Sequence, residues 1–237
     1  ISLDLAGCGL GVAEVNELAQ AIHVGAAIAS LTISGNFIFG SKDRGGYPGD
    51  DTQVHDVDKD QSGWNNLCEK LKVSNITTFT ASDIGMGPVA LRTLATSLPA
   101  ALNEVNVAFN QIGSEGGIAL RDALKTSNLK FLAIGKIYTS VDGTVITGSQ
   151  LTTGVTLFAG GRQGELAEVW ASDHIKLKWA DNGESSDWMM LHSLDGEPLK
   201  LPLQSPFEGE HLDLAHQQLD PGYVLLLSWW LGTEFSA

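Results

Sequence analysis

The stretch "LNEVNVAFNQIG", residues Leu102–Gly113, has the spacing that decides the fold of this chain. Its residues follow the pattern L-x-x-L-x-L-x-x-N-x-L, with Asn110 in the polar position. The pattern predicts a short strand whose alternate side chains point into a core. At the bend after the strand, the asparagine amide is expected to bond free backbone groups. A helix then returns the chain along the outer surface.

The same spacing recurs through the first 137 residues. Further copies begin at Leu3, Ile28, Ile76 and Leu129, and the polar position holds Cys8 in the first copy. Helical patterns follow the strand patterns at residues 12–22, 64–74, 88–98 and 114–127. Several copies in register predict a strand and a helix in each repeat, because self-similarity at a fixed period is typical of repeat architectures.

These repeats resemble the leucine-rich repeats of the ribonuclease-inhibitor-like class, which NOD-like receptors also contain. The resemblance covers residues 1–137 and 209–232. It implies an α/β solenoid and recognition of other proteins rather than catalysis. The strand side chains that face away from the core would be small and polar: Asp4, Thr32, Thr80, Asn106 and Asp213.

The end of the chain repeats its beginning. Leu212 and Leu214 align with Leu3 and Leu5, so residues 208–237 are predicted to be a further, truncated repeat, in an array that continues beyond both ends. The same alignment makes the last helix apolar all round, because its outward positions become Tyr223, Leu225, Leu226 and Trp229. Two interpretations remain open: the helix contacts a partner subunit or another domain, or an inserted module covers it.

The leucine-rich-repeat region, residues 1–139, contains an insertion at residues 40–62. Asp56, Asp58 and Asp60 alternate within it, as do the first ligands of an EF-hand calcium loop. The glycine that such a loop needs is replaced by Gln61, and its final glutamate by Leu67. A solvated acidic loop is therefore the favoured interpretation, and calcium binding is the alternative.

Residues 140–207 form a second interruption, in which strand patterns replace helical ones. "IKLKWADNG" (175–183) alternates apolar and polar residues and then offers the Asn-Gly pair typical of hairpin turns. The segment at 150–196 resembles a small Src-homology-three-like or tudor-like β-barrel. Trp170, Trp179 and Trp188 lie within it; core support is the favoured interpretation of their role, and an aromatic cage for a peptide or methylated lysine is the alternative.

Composition limits the function further. The 14 Lys and Arg against 28 Asp and Glu give a formal charge of −14, which argues against nucleic-acid and anionic-membrane partners. The two cysteines, Cys8 and Cys68, predict buried free thiols and an intracellular location. Apart from the alternating aspartates of the insertion, no residue pattern indicates a metal site, and none indicates catalysis, a cofactor or a transmembrane segment.

The sequence thus predicts an acidic, non-catalytic scaffold for protein–protein interaction, within a larger protein or assembly. Two alternatives remain. The β-barrel could be a sensor for a peptide or a modified residue, or the chain could regulate an enzyme whose catalytic domain lies elsewhere.

Overall fold

The computed structural model describes residues 1–23, 27–40, 42–43, 54–139, 145–146, 152–159, 161–170, 174–190, 194, 196–208, 212, 214 and 219–236. The helices are α1 (Val12–His23), α2 (Ser62–Lys72), α3 (Pro88–Ala95), α4 (Gly113–Leu124) and α5 (Pro221–Leu231), with a 3-10 helix at Glu234–Ser236. The strands are β1 (Ser2–Asp4), β2 (Ser30–Thr32), β3 (Lys42–Asp43), β4 (Val54–His55), β5 (Thr78–Thr80), β6 (Glu104–Asn106), β7 (Phe131–Thr139), β8 (Val145–Ile146), β9 (Thr156–Ala159), β10 (Arg162–Trp170), β11 (His174–Trp179), β12 (Met189–Met190) and β13 (Gly196–Pro202).

One mixed sheet of seven strands organises most of the chain. Its order is β1-β2-β5-β6-β7-β13, with β8 also paired to β7. The first five strands run parallel, and β13 is antiparallel to β7. The central residues of the parallel strands lie side by side, which confirms the alignment predicted from the sequence: Leu3, Leu31, Phe79, Val105 and Leu132.

The helices form a second layer against this sheet. Each helix contacts the next one along the chain, from α1 to α5. We call a parallel strand, together with the bend and helix that follow it, a unit, so that β1, β2, β5 and β6 begin units 1 to 4. The inward side chains of all four units share one core, in which Leu31, Phe79 and Val105 are at most 1% exposed.

Buried asparagines join neighbouring units in pairs. Asn36 donates from Nδ2 to Leu5 O in unit 1 and Ile33 O in unit 2, and its Oδ1 accepts the N–H of Leu10. Asn110 joins units 3 and 4 in the same way: its Nδ2 donates to Ala81 O and Val107 O, and its Oδ1 accepts the N–H of Ile84. A buried amide that satisfies several backbone groups removes a desolvation penalty that each group would otherwise carry. The predicted role of asparagine at the bend is therefore confirmed.

The first unit differs from this pattern. Cys8 occupies its polar position and was expected to be buried, but the residue is exposed, with its Sγ 3.7 Å from Ala6 O. Unit 1 lies at the edge of the sheet, and Asn36 of unit 2 already bonds its backbone. The expectation of a buried thiol is thus wrong for Cys8, whereas Cys68 of α2 is fully buried.

The last part of the chain departs from the predicted repeat. Leu212 and Leu214 lie outside any strand, so the strand expected at residues 212–214 is wrong for these two residues; Asp213 lies outside the described residues. The place beside β7 is already taken by β13, which runs in the opposite direction. The predicted helix is present as α5, and it packs on α4 where the helix of a further unit would lie.

A separate antiparallel sheet, in the order β12-β11-β10-β9, lies between β8 and β13 in the chain. It has its own small core, formed by residues such as Leu166, Ile175 and Leu177. The predicted Asn-Gly turn is confirmed: the N–H of Gly183, at φ 72°, donates to Trp179 O. The fold is therefore α/β, with a mixed sheet and a distinct antiparallel one.

Candidate functional site

Small polar side chains cover the side of the parallel sheet that faces away from the helices. The register aligns Asp4, Thr32, Thr80 and Asn106 in one row across β1, β2, β5 and β6, and a second row contains Ser2, Ser30, Thr78 and Glu104. We call these eight side chains the strand face. The sequence predicted the first row and missed the second, although both follow from the two-residue period of a strand.

Two side chains of the strand face are fixed by their own backbone. Asp4 Oδ1 accepts the N–H of Ala6, and Asn106 Oδ1 accepts the N–H of Ala108, each at 3.0 Å. These matching bonds hold a carboxylate and an amide at equivalent positions of units 1 and 4. Asp213, which was also expected on this surface, lies outside the described residues.

An ion pair limits the strand face on the side of β13. Lys200 Nζ lies 2.8 Å from Glu104 Oε2 and 4.4 Å from the centre of the Phe131 ring. The lysine therefore balances the glutamate charge and shields one face of the ring. The surface between β1 and β6 is left with hydroxyl, amide and carboxylate groups, which suit hydrogen bonding to another protein.

The three alternating aspartates of the insertion stabilise helices and a local ion pair. Asp58 accepts the N–H of Gly87 and the N–H of Val89, each at 2.7 Å, at the start of α3. Asp60 accepts the N–H and O–H of Ser62 at the start of α2, and these bonds lower the pKa of its carboxyl. Both residues thus accept free N–H groups at the start of a helix, although the N-cap residues themselves are Gln61 and Gly87.

Asp56 lies 3.6 Å from Lys59 Nζ. The EF-hand interpretation therefore lacks support, because the carboxylates of Asp58 and Asp60 are directed at two different helices. In the part of the chain that the structure describes, no group of three or more His, Cys, Asp or Glu could hold a metal ion.

The three tryptophans of the antiparallel sheet do not form one cage. Trp170 and Trp188 pair with ring centres 6.1 Å apart, and they are 64% and 37% exposed. Lys176 Nζ lies 4.7 Å from the centre of the Trp188 ring and 3.7 Å from Glu168. One face of the Trp188 ring thus already faces a lysine of the same chain.

Trp179 belongs to a different cluster. The Arg162 guanidinium stacks over its ring at 4.3 Å and binds both carboxylate oxygens of Asp181, at 2.7 and 2.8 Å. The arginine lowers the pKa of the Asp181 carboxyl, and the aspartate raises the pKa of the arginine. This cluster ties the turn before β10 to the hairpin after β11, so it has a structural role.

The last helix has a buried face that the sequence alignment misplaced. Tyr223 and Leu226, expected to point outward, are 3% and 0% exposed, while Leu225 and Trp229 are half-buried. The buried positions of α5 match those of α1 after a shift of one residue, which rotates a helix by about 100°. The expected contact surface is therefore wrong for Tyr223 and Leu226, since both belong to the core.

The comparisons with other proteins identify no family. No protein-family model matches the chain, and a search of curated proteins gives no match. Among the described helices, none has the length and apolar character needed to cross a membrane.

Proposed function

We propose that the chain is a leucine-rich-repeat solenoid of the helix-bearing type that carries an inserted antiparallel module of the small-barrel kind. The in-register parallel strands support this, as do the helices that follow in chain order and the asparagines that join neighbouring units. The coarser arrangement is an α/β fold with the mixed sheet, the separate antiparallel sheet and a two-stranded sheet formed by β3 and β4. The repeat family and the closure of the barrel are part of the proposal.

The proposed function is a non-catalytic scaffold for protein–protein interaction within a larger assembly. The observation that carries it is the strand face, where two rows of small polar side chains run across four adjacent strands. Neighbouring strands lie about 4.8 Å apart, so the rows span about 14 Å. That width suits a segment of a partner protein, because polar groups held on rigid strands can recognise it without reorganising.

The free cysteines support an intracellular location for this scaffold. Cys8 and Cys68 form no disulfide, and free thiols are typical of reducing compartments. The acidic composition, with a net charge of −14, fits protein partners rather than nucleic acids.

The test of the scaffold is a pair of matched double variants. Thr32→Arg with Thr80→Arg places two cations on the strand face, and Gln20→Arg with Thr96→Arg places two on exposed helix-side positions. Partners would be enriched from native extract and quantified by mass spectrometry, and their binding would then be measured with purified proteins. We expect partners that the first variant loses and the second retains. Equal recovery by both variants would contradict recognition through the strand face.

A second candidate function is a sensor in the antiparallel sheet. The 64% exposure of Trp170 favours it, because exposed tryptophans are common at binding hot spots. Titration with Lys-methylated and Pro-rich peptides, followed by tryptophan fluorescence, tests this function. Saturable binding that Trp170→Ala abolishes would support it, and the absence of binding to either peptide class would argue against it.

A further inference from the structure

We propose that β13 and α5 form a cap that ends the array of parallel units. We call these two elements, residues 196–202 and 221–231, the end cap. They supply a strand, a hydrogen-bonding side chain and a helix at the places where a further unit would supply them. The strand is reversed in direction, and its connection to the helix is longer than the strand-to-helix connections of units 1, 3 and 4.

The hydrogen-bonding side chain of the end cap is Tyr223. Its hydroxyl donates to Val107 O at 2.6 Å and accepts the N–H of Asn110 at 2.9 Å. One unit earlier, the amide of Asn110 donates to Ala81 O and accepts the N–H of Ile84. Val107 and Ala81 occupy equivalent positions in their units, as do Asn110 and Ile84. Tyr223 therefore satisfies the same two backbone positions of unit 4 that Asn110 satisfies in unit 3.

The helix of the end cap is held close to α4 by glycines. A Cβ added to Gly117 would come within 2.7 Å of Gly222 O, and a Cβ on Gly222 would collide with Gly113 O. The two helix starts thus touch backbone to backbone. Asp220 caps α5 by accepting the N–H of Gly222 at 2.7 Å. This close approach brings Tyr223 within reach of the bend of unit 4.

Among the described residues β13 is the last strand of the sheet, and its outer edge resists further pairing. The N–H of Leu203 donates to the carbonyl oxygen of Lys130, the residue just before β7. Along an antiparallel strand, every second residue bonds to the same neighbouring strand. Lys200 and Pro202 therefore turn their backbone groups away from β7. Pro198 lies where the register between β13 and β7 shifts, between Glu197 and Leu199. Proline has no N–H to offer, and the carbonyl of Pro202 already accepts the Nε1–H of Trp230 at 2.8 Å. Proline and lysine are the residues with which natural sheets protect their edges.

It follows that the array stops at β7 for two independent reasons. Tyr223 and α5 close the helix side, and a proline-bearing strand closes the sheet side. A partner that adds a strand to a sheet is therefore directed away from this edge, and copies of this chain do not associate through it.

The first test concerns Tyr223. Amide hydrogen exchange would be followed by NMR in wild-type protein and in Tyr223→Phe, which keeps the ring and removes the hydroxyl. We expect the Asn110 amide to exchange about tenfold faster, in keeping with the loss of one buried hydrogen bond. The Ile84 amide is the internal control and should keep its rate. An unchanged Asn110 rate, or an equal acceleration of both amides, would overturn the role assigned to Tyr223.

The second test concerns the edge and does not depend on Tyr223. The triple variant Pro198→Val, Lys200→Val and Pro202→Val restores two N–H groups and removes the charge, and Pro206→Val is the control outside the strand. Light scattering after size exclusion would be measured over a hundredfold range of concentration. We expect the triple variant to associate more strongly than wild type, with the control unchanged. A folded triple variant that associates no more than wild type would refute edge protection.

Discussion

Replacing the buried asparagines should cost stability in an order set by their positions in the array. Asn110 is 5% exposed; its Oδ1 accepts the N–H groups of Ile84 and Met86, and its Nδ2 donates to three carbonyl oxygens. In Asn110→Ala the N–H groups of Ile84 and Met86 lose their acceptor in a place that water does not reach. The substitution should therefore be among the most damaging single changes in the chain.

The magnitude follows from the groups left without a partner. Each buried N–H without an acceptor costs about 1–3 kcal/mol, so the two N–H groups at Asn110 imply a loss of about 2–6 kcal/mol. Asn36→Ala deprives only one N–H, that of Leu10, and this group is half-buried beside the edge unit. Water can replace part of that bond, so we expect a loss of about 1–2 kcal/mol.

The assay is urea denaturation followed by circular dichroism, with Asn106→Ala as the control. Asn106 accepts one N–H on the strand face, and its loss should cost less than about 1 kcal/mol. The reasoning is refuted if Asn36→Ala costs as much as Asn110→Ala, or if Asn110→Ala costs no more than the control. Either result would mean that the asparagine bonds do not hold the units together.

Three further predictions concern single side chains. Asp58→Ala should lower the free energy of unfolding by about 1–2 kcal/mol, because the N–H groups of Gly87 and Val89 at the start of α3 lose their acceptor. Asp56→Ala makes the same charge change and should alter the free energy of unfolding by less than about 0.5 kcal/mol. Equal losses in thermal denaturation would contradict this. Maleimide should label Cys8 in the folded protein and Cys68 only on unfolding, because burial raises the pKa of the Cys68 thiol; equal native rates would argue against the buried site. Hydrogen bonds from Ser62 at the start of α2 lower the pKa of Asp60. The contribution of Asp60 to stability is therefore present above the ordinary carboxyl pKa of about 4 and is lost as the pH falls through the lowered pKa. Asp60→Asn should flatten the decrease in the free energy of unfolding between pH 5 and pH 2, and an unchanged dependence of this free energy on pH would contradict the prediction.

The sequence was sufficient where side-chain spacing alone decides the structure. Apolar residues at alternate strand positions predicted the register of Leu31, Phe79 and Val105, and Asn110 predicted its own bonds at the bend. These features are local to each unit and repeat at a fixed interval, so several copies give independent evidence. The Asn-Gly turn was predictable for the same reason.

The end of the array was not predictable from spacing. Leu212 and Leu214 fit the repeat pattern, but a reversed strand from residues 196–202 pairs with β7 instead, and local patterns do not specify the partner of an edge strand. An error of one residue in the alignment of α5 turned its buried face outward by about 100°. The hydroxyl of Tyr223 had no counterpart in the other units that could have indicated its bonds.

The strand face and the tryptophans show a second limit. In a strand every second side chain points to the same face, so the row of Glu104 across β1, β2, β5 and β6 could have been predicted from the sequence. The ion pair of Glu104 with Lys200 could not, because it joins residues 96 positions apart. The spacing of the tryptophans suggested one cluster. The structure separates Trp179 from Trp170 and Trp188. Trp170 pairs with His174 of β11, and Trp179 lies five residues further along that strand, so the two side chains are on opposite faces of the sheet.

The central claim is that strands follow one another in a single register and that a reversed strand ends the series. Cross-strand nuclear Overhauser effects in isotopically labelled protein measure this most directly. The account predicts parallel contacts linking Leu31 to Phe79, Phe79 to Val105 and Val105 to Leu132, and antiparallel contacts linking Leu132 to Leu201. Contacts between residue 132 and residues 212–214 in place of Leu201 would contradict it.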